Sequence, residues 1–336
     1  MKWFGRILSL LALCAVVACG QGKQQEKEGE TTKTYLPKVS GKPGDLLIVI
    51  DHESWNSEVG AYLQEVLAGD YPMLPQREPY FTVYNVPHNA FSGSFYLHRN
   101  ILILNLGKNE AGVDCQQNTW AAPQAVVVVN AKDREEALSL LQENGRKIQE
   151  FFENSERNRA IASNRKFNDV SVQTEVMNRL GGAPVYPNGF SLKSLREDFA
   201  WVSQESTYVN QSILVYSFPV EPDYVFTLSD LIARRDSVMR VNVPGKREGS
   251  YMYTAQTLAQ PTMRWIKSGK KSFVEVRGLW ELQNDFMGGP FVMHAHLDQL
   301  RSRVVVVEGF VYAPKYDKRN YVRNVESIIY TFDWKK

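Results

Sequence analysis

His294, His296 and Asp298 are the residues whose types and spacing come nearest to a reaction centre. Side chains two apart in an extended segment share a face. A strand over Phe291–Asp298 therefore sets two imidazoles and a carboxylate side by side. Those groups suit zinc and related ions. A metal held there could activate water while an acid takes the proton, which is hydrolase chemistry. The same pattern also describes an ordinary solvated strand face, with Val292 and Met293 packing beside it, and it requires no cofactor. A second candidate is Asp51-His52-Glu53, between the apolar run Leu46–Ile50 and a helical pattern. Reactive groups gather at carboxyl ends of strands in open parallel sheets, but the strand pattern here does not point to a parallel sheet. Capping of the next helix by Asp51 or Ser54 accounts for these residues as well.

The third candidate is a loop from Trp280 to Phe291. Asn284 and Asp285 form turns readily, and Gly288-Gly289-Pro290 permits an unusual backbone path. Trp280, Phe286, Met287 and Phe291 are large apolar neighbours. They could wall a binding cleft, or they could be core around an internal bend. Gly269-Lys270-Lys271-Ser272 lacks the upstream glycine of a phosphate-binding loop. Neither a Gly-x-Ser-x-Gly elbow nor a His-Glu-x-x-His helix occurs. Cys115 could serve as a nucleophile beside a histidine, though a lone cysteine is more often a small buried apolar residue. The tryptophans at 55, 120, 201, 265, 280 and 334 could stack on sugars, but their scatter fits packing.

The ends bound where any such chemistry takes place. Lys2 and Arg6 precede an apolar run from Ile7 to Ala18, broken only by Ser9. The run is too short for a bilayer core, which needs about 20 residues. It ends on Val16-Val17-Ala18-Cys19, so it reads as an export signal of the lipoprotein type, with the thiol of Cys19 acylated. Two or more acyl chains anchor stably, each buried methylene contributing about 0.8 kcal/mol. From Gly20 to Ser40 the chain is almost wholly polar and reads as a flexible tether, with an end-to-end distance of roughly 25 Å.

The remaining chain is 43% hydrophobic over the whole sequence, enough for a core, and its net charge of +2 gives no nucleic-acid signal. With Cys14 removed and Cys19 acylated, Cys115 has no cysteine to pair with. Strand patterns run over 46–50, 80–86, 101–106, 125–129, 199–202, 213–218, 263–266, 273–279, 291–296 and 303–312. Helical stripes run from Trp55 to Leu67, from Asp133 (with Glu136, a capping box) to about Ile161, from Leu228 to Val238, and beyond Pro314. These patterns predict an α+β fold of mostly antiparallel mixed sheets with packed helices, and two similar halves are one arrangement they allow. The expected layout is a signal peptide over 1–18, a lipidated flexible tether over 19–40, an N-terminal α+β half over 41–165 and a C-terminal α+β half over 166–336.

The strings Leu74-Pro75-Gln76, Arg277-Gly278-Leu279-Trp280, Asn284 to Phe291 and Glu308 to Pro314 resemble an uncharacterised lipoprotein family of Bacteroidetes-type bacteria. The resemblance covers nearly the whole chain beyond the tether, together with the lipidated start. It implies a Gram-negative envelope and, because Gly20 rather than an Asp follows Cys19, the outer membrane. It brings no catalytic residue with it. The expectation is a lipid-anchored envelope protein that binds a partner, an envelope protein or glycan, or has a structural role. The alternative is a metal-dependent hydrolase acting on an envelope substrate.

Overall fold

The apolar run after Gly44 becomes a strand buried along its whole length, and four neighbours complete a sheet around it. This computed structural model describes residues 35–335. The first elements are β1 (Asp45–Val49), α1 (His52–Trp55), α2 (Glu58–Leu67), β2 (Thr82–Val86), β3 (Asn100–Asn105), β4 (Gly112–Gln117), β5 (Ala125–Asn130) and α3 (Arg134–Lys166). The sheet order is β2-β1-β3-β5-β4. β1 runs parallel to β2 and β3, β3 runs parallel to β5, and only β4 is antiparallel. This corrects the expectation of a non-parallel N-terminal sheet. The segment between β2 and β3 has no α-helix, the kind of connection from which antiparallel pairing is expected. It crosses β1 instead, through short 3-10 turns. α2 and α3 cover one face, with Leu46, Ile48, Leu63, Leu102, Leu141 and Phe152 between the layers.

The second part comprises α4 (Val170–Leu180), β6 (Gly182–Ala183), β7 (Ser191–Leu195), β8 (Phe199–Glu205), β9 (Asn210–Pro219), α5 (Leu228–Asn242), β10 (Met252–Ala255), β11 (Thr262–Ser268), β12 (Lys271–Leu282), β13 (Gly288–Asp298), β14 (Arg303–Tyr312), α6 (Arg319–Ile329) and β15 (Asp333–Trp334). Its large sheet is wholly antiparallel in the order β10-β12-β13-β14-β9-β8-β7, and β11 pairs with β12 beside β10. The whole is α+β as expected. The halves are not copies of one another, because one sheet is mainly parallel and the other antiparallel.

Strand alternation divides the core of the large sheet. Val305 and Val307 pack on the α4 and α6 side, while Val304 and Val306 pack on the α5 side. Each such side chain contributes about 1.5 kcal/mol or more by leaving water. Gly288-Gly289-Pro290, expected as a turn, is the start of β13; the turn is the Gln283–Met287 segment before it. A Cβ on Gly289 would lie 2.1 Å from the Val311 carbonyl oxygen, so the glycine permits a close backbone approach.

The folded unit begins at Leu36. Isolated bridges join Lys38 to Ala122 and Ser40 to His98, so residues 36–40 lie against the first sheet. The tether expected up to Ser40 is therefore shorter by those residues. The signal segment 1–18, Cys19 and the tether up to residue 34 lie outside the described residues. Among the described residues no helix is long and apolar enough to cross a membrane.

Candidate functional site

α3 changes partners along its length. Ala137, Leu141, Ile148 and Phe152 bury against the first sheet, with Asp133 capping the helix by accepting from the Glu136 amide at 3.0 Å. After Phe152 the stripe turns charged. Glu153, Glu156, Arg157 and Arg159 continue past α6 and the β11–β12 hairpin, and Asn164 donates to the Ser327 hydroxyl at 2.9 Å. A cleft of about 1090 Å³ lies between this half of α3 and β11. Tyr71, Tyr80, Tyr330, Arg157 and Arg277 are among the residues lining it, with Arg146, Asn158, Ile161 and Arg165 along the helix wall. A smaller cavity of about 300 Å³ opens between α3 and α6. Glu153 and Arg157 line both and so form the wall between them.

An ion network extends below the cleft. β-alternation aims Glu275, Arg277, His294 and His296 at the α6 side of the sheet. Glu326 on α6 accepts from Arg277 Nη2 at 2.5 Å, Arg157 Nη2 at 3.2 Å and the Tyr71 hydroxyl at 3.2 Å. Glu275 accepts from Arg277 Nε and Arg264 Nε at 2.8 Å each, and His294 Nε2 lies 3.4 Å away. Burial by itself raises both carboxyls. Arg277, with His294 for Glu275 and with Arg157 for Glu326, outweighs it and holds both below their ordinary value, Glu275 well below. Glu153 differs: burial keeps its carboxyl raised even though Arg323 Nη2 grips it. Burial also pushes the Tyr330 phenol up to about 12, and the Arg157 guanidinium lies 4.2 Å over that ring. On the helix side Glu156 takes Arg99 at 2.9 and 2.7 Å and Arg159 at 3.0 Å. Among the described residues Arg165 and Lys267 have no ion-pair or hydrogen-bond partner, and both line the cleft.

The folded chain is similar to two domains of unknown function. Residues 39–165 match one (DUF8532) and residues 169–331 match the other (DUF4837). α3 belongs to the DUF8532 segment up to residue 165, and the β11–β12 hairpin and α6 belong to DUF4837. The cleft thus lies at the junction of the two, a common place for ligands to bind. No curated protein matches the chain. Among solved structures, a mutant of the protein Mog1 is 13% identical, covers 46% of this chain and 92% of its own, and superposes with a TM-score of 0.31. The Ran-binding protein Mog1p of Saccharomyces cerevisiae is also 13% identical, over 46% of this chain and 91% of its own, at 0.28. The lipid transfer and protein localization domain of human StarD13 is 9% identical, over 49% and 95%, at 0.22. Likenesses this slight carry no argument about function.

Of the residues singled out from the sequence, Trp265 lines the cleft and His294 joins the network beneath it, while the others lie elsewhere. His294 and His296 do share a face, but aromatic rings enclose them. Phe273 lies 4.3 and 4.9 Å from the two imidazoles, Tyr330 4.6 Å from His294 and Phe332 4.6 Å from His296. Burial lowers the pKa of both, that of His296 well below 6.5. Asp298 is engaged by other groups: its Oδ2 accepts from Arg301 at 3.0 Å and Arg303 at 3.1 Å. Among the described residues no group of three His, Cys, Asp or Glu side chains is arranged to hold a metal. The expected metal triad is therefore not assembled, because arginines claim its acid.

The loop candidate is divided. Trp280 and Phe291 are each 2% exposed and belong to the α5-side core. Gly288 and Gly289 are in the ladder, and Met287 packs on that core. Asn284, Asp285 and Phe286 form the tip, where Phe286 is 95% exposed. The tip lies beyond the Leu282 end of β12, five strand residues, about 17 Å, past the cleft residue Arg277. Asp51 caps α1, accepting from the Ser54 amide at 2.9 Å. Cys115 is exposed on edge strand β4 rather than buried, and partial burial with Asp114 nearby raises its pKa, the wrong direction for a nucleophile. Sequence reasoning missed Glu275, Arg277 and Glu326. Their signal was a charge at a core-facing position of an apolar pattern, which needs a partner.

Proposed function

We propose that this protein is a lipid-anchored protein of the cell envelope, held at the outer membrane through Cys19, whose folded part binds a partner in the cleft between α3 and β11. The anchor rests on the lipoprotein-type sequence around Cys19 and on the polar stretch after it. The binding role rests on one observation: the floor of the cleft is already satisfied, while its rims are not. Arg157 and Arg277 in the lining of the cleft are tied to Glu326 and Glu275 beneath it and hold those carboxyls below their ordinary value, so neither acid is poised to exchange a proton at neutral pH. Glu153 is clasped by Arg323. Arg165 and Lys267 on the rims are left with donors to offer. A rigid floor with open cationic rims is suited to holding a ligand in place.

Two measurements test the two parts. Cys19→Ala should move the protein out of the membrane fraction; retention there would overturn the lipid anchor. A photo-crosslinking amino acid at Ile161, in the cleft wall, should form a discrete adduct in cells, and the same residue at Glu143 should not. Equal or no crosslinking at the two positions would overturn the binding role and leave the anchor standing.

A further inference from the structure

The cleft has a helix on one side and the free edge of a strand on the other. β11 pairs only with β12, over Thr262–Ser268. Among the described residues no other backbone partner reaches it. Arg264, Trp265, Ile266, Lys267 and Ser268 all line the cleft. Side chains alternate across a strand, and these do: Arg264 turns to Glu275, whereas the Trp265 ring meets Phe226 at 5.6 Å on the other face. A hollow that touches five successive residues therefore meets the edge of the strand, with its outward amides and carbonyls. The opposite wall is a single stripe of α3. A groove between a helix and an unpaired edge receives an extended peptide as an added strand, the backbone giving affinity and the walls specificity.

The walls also specify charge. Among the described residues Arg165 and Lys267 stand in the cleft unpaired, while the other cations that line it, Arg146, Arg157, Arg264, Lys271 and Arg277, are tied to Glu150, Glu326, Glu275 and Asp333. From Gln260 to Val274 the hairpin carries no acid. We infer that the occupant of the cleft is an acidic, extended segment of a partner protein, which adds a strand to β11 along the face of α3. This inference rests on the binding role proposed above and names the chemistry of its ligand. β11 offers about 20 Å of edge, enough for a peptide of about seven residues. Basic side chains on an edge strand also discourage aggregation, and the test separates the two roles.

The probe is a fluorescein-labelled octapeptide of alternating Glu and Val, titrated against the detergent-solubilised full-length chain by polarisation. It should bind saturably. The same peptide with every second amide N-methylated should bind about tenfold more weakly or worse, since the loss of even one net backbone bond approaches that factor. Arg165→Glu/Lys267→Glu, on exposed rims, should weaken the unmodified peptide by about tenfold through charge complementarity. Equal binding of the N-methylated peptide would overturn strand addition, as would polygalacturonate displacing the probe as well as the free peptide does. If no acidic peptide binds while crosslinking at Ile161 persists, the peptide inference fails and the cleft remains a binding site for another ligand. If both fail, the binding role fails with it.

Discussion

Glu308 and Glu326 lie on opposite sides of the same sheet and are equally cut off from water, at 0% and 2% exposure. Their charges are managed differently. Glu308, on the α5 side, has one guanidinium: Arg235 donates to it at 2.7 and 3.1 Å, with the Tyr216 hydroxyl at 3.3 Å. Burial wins there, and the Glu308 carboxyl stays raised. Glu326 has two guanidiniums and a phenol, and its carboxyl is held down. The comparison shows that burial and pairing compete residue by residue: burial prevails at Glu308, and the guanidiniums prevail at Glu326. It also separates a sealed pair, closed over by α5 and Phe291, whose ring lies 3.9 Å under Arg235, from a network that opens on a cleft. The first holds the sheet to its helix, and the second lies beneath the proposed binding cleft.

The sealed side should break hardest. Arg235→Met removes the only cation from a fully buried carboxylate and should cost about 3–5 kcal/mol in denaturant unfolding. Adding Glu308→Leu should recover most of that loss, because an apolar pair needs no charge balance. A single variant as stable as the parent would show that the pair does not fasten α5. On the open side, Arg157→Ala leaves Glu326 with Arg277 and exchanges a partly solvated guanidinium for water. Its cost should be smaller, about 1–3 kcal/mol. A loss as large as that of Arg235→Met would erase the distinction between the two networks.

Acid should sharpen the same contrast. His294 and His296 have lowered folded pKa values, so their contribution to stability is complete above 6.5 and is lost as pH falls below it. Glu275 and Glu326 are also lowered, so theirs is complete above 4.5 and is lost below that value. Melting temperature measured against pH should therefore decline in two stages. His296→Leu should flatten the upper stage and Glu326→Gln the lower one. An unchanged profile in either variant would mean that its group is not held in the charge state described.

Much of the fold was legible because long patterns are unambiguous. The four valines of β14 and the β11–β12 hairpin about Gly269 lie where the periodicity put them. Short or mixed segments were not: β4, with Gly112-Val113-Asp114-Cys115, has no clear alternation, and α4 is short and carries the β-branched Val170, Val172, Thr174 and Val176, which favour strands. The parallel N-terminal sheet was missed because its β2–β3 crossover lacks a helix. The cleft was illegible for a deeper reason. Its residues come from α3, the Tyr71–Tyr80 segment, β11 and Tyr330, far apart in sequence, and only the packing of α3 on α6 joins them. What could have been read was the misfit of Glu275, Arg277 and Glu326 within apolar patterns. Histidine spacing drew attention instead, although buried imidazoles among aromatic rings are packing elements here.

The smallest expected effect decides between the cleft and the loop tip. Phe286 at the tip is almost wholly exposed, with Arg247 5.7 Å over its ring. An isolated exposed aromatic side chain carries little stability, so Phe286→Ser should shift unfolding by no more than about 0.5 kcal/mol. Because the tip is five strand residues beyond Arg277, the cleft residue nearest to it along β12, the substitution should also leave the adduct at Ile161 intact. A folded Phe286→Ser variant that loses the adduct would move the partner's contact surface to the tip, and the cationic rims would then be only the guard on an open strand edge. An adduct that survives Phe286→Ser but disappears in Arg165→Glu/Lys267→Glu would place recognition where the two domains meet, with charge on the rims as its first requirement.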